Sequence, residues 1–244
     1  MDVFGYDLVF NAFSFAIATF GAATIFFFAQ RSQVAPAYKT ALVLSGLVCF
    51  IAFYHYVQIF ISFGNAYVLN DGVVTQTGAP FNDAYRYVDW LLTVPLLLLE
   101  LVLVMRLSKE ETYSKGTKLA FAAALMVVLG YPGEIITDPA GFGERWMWWV
   151  LAMIPFVYIV WDLYAGLGKS IESQPESVRN LVSKARTLTV VSWCFYPIVF
   201  IFPMMGLTAS VAVQVGYTVA DVVAKAVFGV LIYMIAQRKS DAGA

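Results

Sequence analysis

Lys225 is the residue of this chain best placed to do chemistry, because it lies deep in an apolar segment. Residues 220–228 hold one acid, Asp221, and one base among apolar side chains, and Arg238 follows Lys225 by thirteen residues. On a helix this separation is about 20 Å, which is too far for the side chain to reach solvent. Desolvation favours the neutral amine, which can condense with an aldehyde to form a Schiff base. Asp221 lies four residues earlier on the same helical face and can balance the resulting cation.

A second polar set lies in another apolar segment and consists of Arg86, Asp89, Thr93 and Glu100. Their spacings of three, four and seven residues place all four on one face of a helix. Glu100 lies about 16 Å along the helix from Asp89. Such a row of buried ionisable groups is typical of a proton relay, and Asp89 can supply a second counterion to Lys225. The alternatives are a structural Lys–Asp pair and two unrelated buried acids.

The composition is that of a membrane protein. Of the 244 residues, 61% are hydrophobic and only 13% are charged, and the mean hydropathy is +0.76. The length allows at most about seven or eight membrane spans and leaves no room for a second soluble domain. The net charge of -1 argues against nucleic-acid binding. Two cysteines, Cys49 and Cys194, and a single histidine make neither a disulfide framework nor a metal site.

Apolar stretches with few charges predict an all-α bundle of seven transmembrane helices. The predicted helices cover residues 6–31, 37–62, 82–107, 116–137, 144–168, 177–205 and 208–237. Between the second and third helices, Asp71-Gly72 separates two short β-type runs within residues 67–75, which predicts a small β-hairpin. We expect residues 1–244 to form a single transmembrane domain.

The positions of the basic residues predict the orientation of the bundle. If the N-terminus is outside, twelve of the fifteen lysines and arginines lie in inner loops or the C-terminus, as the positive-inside rule requires. Among the remaining three, Arg145 is assigned to an outer loop. Residues 1–4 lack a basic n-region, so no cleaved signal peptide is expected.

Three motifs identify a family resemblance. The sequence RYVDWLLTVPLLLLE at residues 86–100 closely resembles the third helix of microbial rhodopsins. The pair Asp221 and Lys225, and WCFYP at residues 193–197, are similar to the seventh and sixth helices of the same family. The resemblance extends over the whole chain. Within the family, the acids and the threonine of residues 86–100 resemble those of the proteorhodopsin group of light-driven outward proton pumps.

This resemblance implies a role for each buried charge. Lys225 would bind all-trans retinal as a protonated Schiff base. Asp89 would be the primary counterion and the first proton acceptor, and Asp221 would be a second counterion. Arg86 would be a balancing cation just outside them.

The resemblance also implies roles for three further titratable residues. Glu100 would reprotonate the Schiff base from the cytoplasmic side, because an apolar shell keeps a carboxylic acid protonated. His55 would pair with Asp89 and set its affinity for a proton. Residues 212–217 hold no carboxylate that could release the proton outside. Glu134 is therefore either an exit group or simply a solvated helix end.

By the same resemblance, the retinal pocket consists mainly of aromatic and apolar side chains, which suit a flat polyene. Its expected members besides the lysine are Trp90, Thr93, Leu97, Met126, Gly130, Trp149, Phe156, Trp193, Tyr196, Pro197, Phe200 and Ala224. Leu97 stands where relatives carry Leu or Gln, and an apolar Leu predicts green absorption. Trp149 stands where carotenoid-binding relatives carry Gly, so no carotenoid antenna is expected.

Two functions are consistent with this resemblance: an outward proton pump, which is a transporter and not an enzyme, and a sensory photoreceptor that signals to a partner protein. Glu100 favours the pump, because a slow sensor needs no cytoplasmic proton donor. Sodium and chloride pumps are disfavoured by the aspartate at position 89. A retinal-free seven-helix transporter or receptor would leave Lys225 unmodified. We expect a multi-pass protein of the prokaryotic inner membrane that assembles, by resemblance, as a pentamer or hexamer.

Overall fold

The computed structural model describes residues 1–82, 84–207 and 210–243, and long α-helices dominate it. The helices are α1 (Val3–Gln30), α2 (Lys39–Ala66), α3 (Tyr85–Met105), α4 (Lys109–Glu134), α5 (Phe142–Trp161), the short α6 (Gly168–Glu172), α7 (Glu176–Phe200), α8 (Ser210–Val222) and α9 (Phe228–Asp241). A π-helical turn, Val223–Val227, joins α8 to α9, so that these two form one long helix. The predicted seven-helix architecture is confirmed.

Six of the seven long helices in the described part of the chain are long and apolar enough to cross a membrane. The exception is α7, whose first three turns carry charged side chains. These are Glu176, Arg179, Lys184 and Arg186. The apolar half of α7 follows them, which places the charged turns near one end of the bundle.

Local contacts explain where several helices begin and end. Asp2 caps α1 by accepting a hydrogen bond from the amide of Gly5 at 2.8 Å. A capping box between Ser108 and Glu111 starts α4. Arg106, in the left-handed region with a φ of 57°, ends α3.

The predicted β-hairpin is confirmed between α2 and α3. Strands β1 (Tyr67–Asn70) and β2 (Val73–Gln76) are antiparallel, and Asn70 pairs with Val73. The two residues between them, Asp71 and Gly72, have φ values of 48° and 75°. Positive φ at both positions is the requirement of a type I′ turn, which explains the Asp-Gly sequence.

The helices pack mostly against their neighbours in sequence, from α1 to α5, and contacts of α8 with α1 and of α9 with α7 close the arrangement. A phenylalanine-rich core fills the space between α1 and α2 and includes Phe13, Phe20 and Phe63. A larger core joins α3, α4, α5, α7 and α9. The π-helical turn that carries Lys225 is thereby held inside the bundle.

Two basic residues lie where the sequence did not place them. Arg145 belongs to the first turn of α5, not to an outer loop, and it is buried. Its guanidinium donates to the main-chain oxygens of Glu134, Ile136 and Phe200, each at 3.0 Å, which compensates its burial. Helix α9 continues to Asp241, beyond the predicted end at residue 237, and Lys239 is buried within it.

Candidate functional site

Lys225 lies at the centre of the site, in the π-helical turn between α8 and α9, and is 2% exposed. Its Nζ donates a hydrogen bond to Oδ2 of Asp89 and lies 3.1 Å from Oδ1 of Asp221. The ring of Phe20 faces the ammonium at 5.9 Å. A single π turn within an α-helix is frequently found at functional sites. One buried cation is thus shared between two buried carboxylates from different helices.

Asp221 is the more strongly hydrogen-bonded of the two aspartates. The phenol of Tyr56 donates to its Oδ2 at 2.8 Å, and the phenol of Tyr196 donates to its Oδ1 at 2.6 Å. The indole N–H of Trp90 donates to the same Oδ1 at 3.1 Å. Three neutral donors and one ammonium stabilise a carboxylate in its ionised form. Both carboxylate oxygens of Asp221 are therefore engaged by hydrogen-bond donors.

Asp89 has fewer partners. Its Oδ2 contacts the ammonium of Lys225, whereas its Oδ1 accepts no hydrogen bond from any residue that the structure describes. The hydroxyl of Thr93 donates at 2.8 Å to the main-chain oxygen of Asp89 and not to its carboxylate. Of the two aspartates, Asp89 is therefore the one with an oxygen that can accept a further hydrogen bond.

His55 is buried beside this site but does not form the expected pair. Its Nδ1 lies 2.9 Å from the main-chain oxygen of Ile51. Within residues 1–82, 84–207 and 210–243, no hydrogen bond joins it to Asp89, although the two interact electrostatically.

Arg86 supplies a further buried cation and is 2% exposed. Its guanidinium faces the ring of Phe13 at 5.6 Å and the ring of Tyr217 at 5.5 Å. Aromatic faces attract a cation electrostatically and help it to remain in an apolar environment. Arg86 thus adds positive charge to the helix turn that precedes Asp89.

A cavity extends from Lys225 between α3, α4, α5 and α7. Of the predicted pocket residues, Thr93 does not line it, and the others do. These are Trp90, Leu97, Met126, Gly130, Trp149, Phe156, Trp193, Tyr196, Pro197, Phe200 and Ala224. Sequence reasoning missed six lining residues, which are Tyr87, Val94, Val127, Ala152, Met153 and Tyr217. Tyr217 has a signal in the sequence, because it precedes Lys225 by eight residues and so lies near the same helical face.

The aromatic side chains that line this cavity pack against one another. The ring centroids of Trp90 and Tyr196 are 4.9 Å apart at 75°, and the rings of Tyr196 and Tyr217 stack at 5.8 Å. The indole N–H of Trp149 donates to the main-chain oxygen of Pro197 at 3.0 Å. The cavity is lined mostly by apolar and aromatic side chains, and Lys225 and Asp221 are its charged lining residues. These residues fit an elongated apolar molecule that carries an aldehyde for the amine.

Glu100 lies on α3 at some distance from this cluster and is fully buried. The hydroxyl of Ser45, on α2, donates a hydrogen bond to its Oε2. No salt bridge or other hydrogen bond to Glu100 is present in the described part of the chain. Sequence reasoning missed Ser45 and Tyr56, because nothing local to either residue indicates a carboxyl partner on another helix.

Known proteins resemble this chain over most of its length. The family model described as "Bacteriorhodopsin-like protein" matches residues 10–238. A green-light absorbing proteorhodopsin from Gamma-proteobacterium EBAC31A08 is 32% identical over 243 residues, which cover 98% of this chain and 90% of the relative. The bacteriorhodopsin of Halobacterium salinarum is 29% identical over 221 residues, which cover 88% of this chain and 79% of that protein.

Two solved structures are similar to this one. Xanthorhodopsin, described as a light-driven ion pump with dual chromophore, has a TM-score of 0.96 and 51% identity, with 100% of this chain and 97% of that chain covered. A thermophilic rhodopsin has a TM-score of 0.94 and 46% identity, with 100% and 98% covered. Together with the apolar helices, these matches show a multi-pass membrane protein of prokaryotic type. The chain belongs to the family of bacteriorhodopsin-like proteins, the microbial rhodopsins.

Proposed function

We propose that this protein is a light-driven outward proton pump that carries all-trans retinal as a protonated Schiff base on Nζ of Lys225. The observation that carries this proposal is the placement of Lys225 between Asp89 and Asp221 at the end of an aromatic cavity. A third buried carboxyl, Glu100, lies further along α3. The relatives named proteorhodopsin and light-driven ion pump support the same function.

Transfer of the first proton depends on the difference between the two aspartates. Bound retinal would supply the light-driven change that lowers the affinity of the Lys225 nitrogen for its proton. Asp89 accepts that proton, because it contacts the nitrogen and has an oxygen to which no described residue donates a hydrogen bond. Asp221 stays ionised, because three donors hold its charge. Arg86 balances the remaining negative charge.

Glu100 returns a proton to Lys225. Burial without a neighbouring cation favours the protonated form of a carboxyl, so Glu100 holds a proton that it can give up. It lies about 16 Å along α3 from Asp89, on the C-terminal side. Asp89 and Glu100 therefore exchange protons with opposite ends of the bundle, which gives the transport its direction. His55 tunes Asp89 through space.

The orientation and assembly complete the proposal. The N-terminus lies outside, so that Glu100 faces the cytoplasm and Asp89 faces the exterior, as the distribution of basic residues requires. Residues 1–244 form one retinal-binding domain in the prokaryotic inner membrane. A pentamer or hexamer is expected from the family resemblance.

Two cavity residues lead to spectroscopic expectations. Leu97 lines the cavity and places apolar atoms there, so a green-absorbing pigment is expected. Trp149 fills the wall at α5 and is held by Pro197, so we propose that no carotenoid antenna binds. An absorption maximum in the blue contradicts the first statement. Transfer of energy from an added hydroxylated carotenoid, seen in a fluorescence excitation spectrum, contradicts the second.

The decisive experiment measures the light-induced pH change of an unbuffered suspension of cells that express the protein with all-trans retinal. We expect acidification that a protonophore abolishes. Lys225→Ala should lose both colour and acidification, whereas Lys118→Ala, at an exposed position, should keep both. A coloured protein that moves no protons indicates the sensory photoreceptor instead. Colour that survives in Lys225→Ala rules out the linkage to that lysine.

A further inference from the structure

Lys239 is a buried lysine far from the cavity, and proton transfer to and from Lys225 does not explain its burial. It lies near the end of α9 and is 3% exposed. Its Nζ donates to the main-chain oxygens of Val104 at 3.1 Å and Met105 at 3.3 Å, and to Oε1 of Gln174 at 2.7 Å. An ammonium has three donors, and here each finds an acceptor.

Gln174 binds the same helix end from another direction. It lies between α6 and α7, and its Nε2 donates to the main-chain oxygens of Met105 at 3.1 Å and Ser170 at 3.0 Å. The last carbonyls of a helix have no partner within it and carry partial negative charge. Lys239 and Gln174 together satisfy these carbonyls at the C-terminus of α3.

Tyr38 completes a group that we call the Lys239 cluster, formed by Tyr38, Val104, Met105, Gln174 and Lys239. The ring of Tyr38, at the start of α2, is 1% exposed and lies 5.6 Å from Nζ of Lys239. The guanidinium of Arg106 lies 5.8 Å from the same ring. The cluster therefore ties together α2, α3, the α6–α7 connection and α9. A buried cation costs several kcal/mol unless it is compensated, so this arrangement is more than a solvated helix end.

The Lys239 cluster lies just beyond Glu100. Met105 follows Glu100 by five residues, about 7.5 Å along α3. Lys239 follows Lys225 by fourteen residues, about 21 Å along α9 if the π turn is ignored. The cluster thus lies at the C-terminal end of α3, in the turns that follow Glu100. On the other side, the hydroxyl of Ser45 contacts Glu100 from α2.

We infer that the Lys239 cluster excludes water from Glu100 and so keeps that carboxyl protonated until its proton is transferred to Lys225. We call the cluster a latch in this sense, because it holds the helix ends closed over Glu100. Lys239 and Gln174 are positioning residues, because they act by holding α9 and the α6–α7 connection on the end of α3. The inference rests on the proposed function, in which Glu100 is the internal proton donor. With the latch broken, water would reach Glu100 and favour its ionised form before the flash.

The test follows the return of the proton to Lys225 by flash-induced absorbance changes of the retinal-loaded protein at several pH values. In the unaltered protein the rate should not depend on pH, because the proton comes from inside. In Lys239→Met the proton must come from the medium. The rate of its return to Lys225 should then be proportional to the proton concentration and fall about tenfold for each unit by which the pH is raised. Gln174→Leu breaks the same cluster from the other side and should shift the pH profile in the same direction. It also serves if Lys239→Met does not fold.

Two controls separate the possible failures. Arg238→Gln removes a charge from the exposed neighbouring residue, which donates to the main-chain oxygen of Ser177, and should keep the flat profile. Glu100→Gln should show the full pH dependence. A flat profile in Glu100→Gln contradicts the proposed donor itself. A steep profile in Glu100→Gln with flat profiles in the cluster variants overturns the latch alone, as does an equal change in Arg238→Gln and Lys239→Met.

Discussion

Helix α3 carries two buried carboxyls of similar chemistry in opposite surroundings. Asp89 contacts the ammonium of Lys225 and lies beside Asp221, whose charge is held by two phenols and an indole. Glu100 has one hydroxyl partner, Ser45, and no salt bridge among the described residues. A carboxyl next to a cation tends to ionise, and a carboxyl buried without one tends to hold its proton. The proposed acceptor and the proposed donor therefore differ in their surroundings more than in residue type.

A similar contrast separates the two aspartates that lie beside Lys225. Asp221 and Asp89 both contact one ammonium, but the donors are distributed unequally between them. Three hydrogen bonds reach the carboxylate of Asp221, whereas Oδ1 of Asp89 accepts none from the described residues and is available for a proton. The following predictions test these two contrasts.

Replacing the acceptor should have the largest effect. Asp89→Asn removes the carboxylate that takes the proton from Lys225, so the rate of that transfer should fall by about 10²–10⁴-fold. Light-driven acidification by cells and flash-induced absorbance changes measure it. Asp221→Asn keeps the acceptor and should retain measurable transfer to Asp89. If Asp221→Asn stops this transfer while Asp89→Asn does not, the two roles are reversed.

Replacing the donor should affect only the second half of the cycle. In Glu100→Gln the transfer of the proton to Asp89 should proceed at its normal rate. Its return to Lys225 should slow by about 10²-fold at neutral pH, because no internal acid is present. Time-resolved absorbance resolves the two steps. If transfer to Asp89 and return to Lys225 slow equally in Glu100→Gln, the different surroundings of Asp89 and Glu100 do not give the two carboxyls separate roles.

Removing one donor from Asp221 should destabilise the pigment. Tyr196→Phe deletes the 2.6 Å hydrogen bond to a buried carboxylate, which contributes about 1.5–3 kcal/mol. The loss of visible absorbance on heating should therefore occur at a lower temperature. Tyr113→Phe, at a position that is 77% exposed, is the matched control and should leave the transition unchanged. An unchanged transition in Tyr196→Phe shows that Asp221 does not depend on this donor.

Removing the hydroxyl partner of Glu100 should have the smallest effect. Ser45→Ala deletes a hydrogen bond worth about 0.5–1.5 kcal/mol, which corresponds to a roughly two- to tenfold change in rate. Because the hydroxyl stabilises the ionised carboxylate more than the acid, its loss should slow the donation of the proton. Ser192→Ala removes another buried hydroxyl, which donates to the main-chain oxygen of Thr189, and should leave the rate unchanged. Faster donation in Ser45→Ala contradicts this argument.

The sequence by itself determined the seven helices and the hairpin, because hydropathy, helical periodicity and turn preference are local properties. The shared face of Asp89 and Glu100 on α3 follows from the same periodicity. Apolar segments and helical spacing singled out the lysine and the acids, and the resemblance to the microbial rhodopsins identified most of the residues that line the cavity. Thr93 was also expected to line the cavity but does not, and its hydroxyl donates to the main-chain oxygen of Asp89 on its own helix.

Only the tertiary structure decided which partners these groups have. The donors to Asp221 come from α2, α3 and α7, and nothing near Tyr56 in the sequence indicates a carboxylate 165 residues away. The burial of Arg145 and Lys239 depends on the carbonyls that other helices place beside them. Contacts between helices depend on how each helix is rotated and packed against its neighbours, and local sequence patterns do not contain that information.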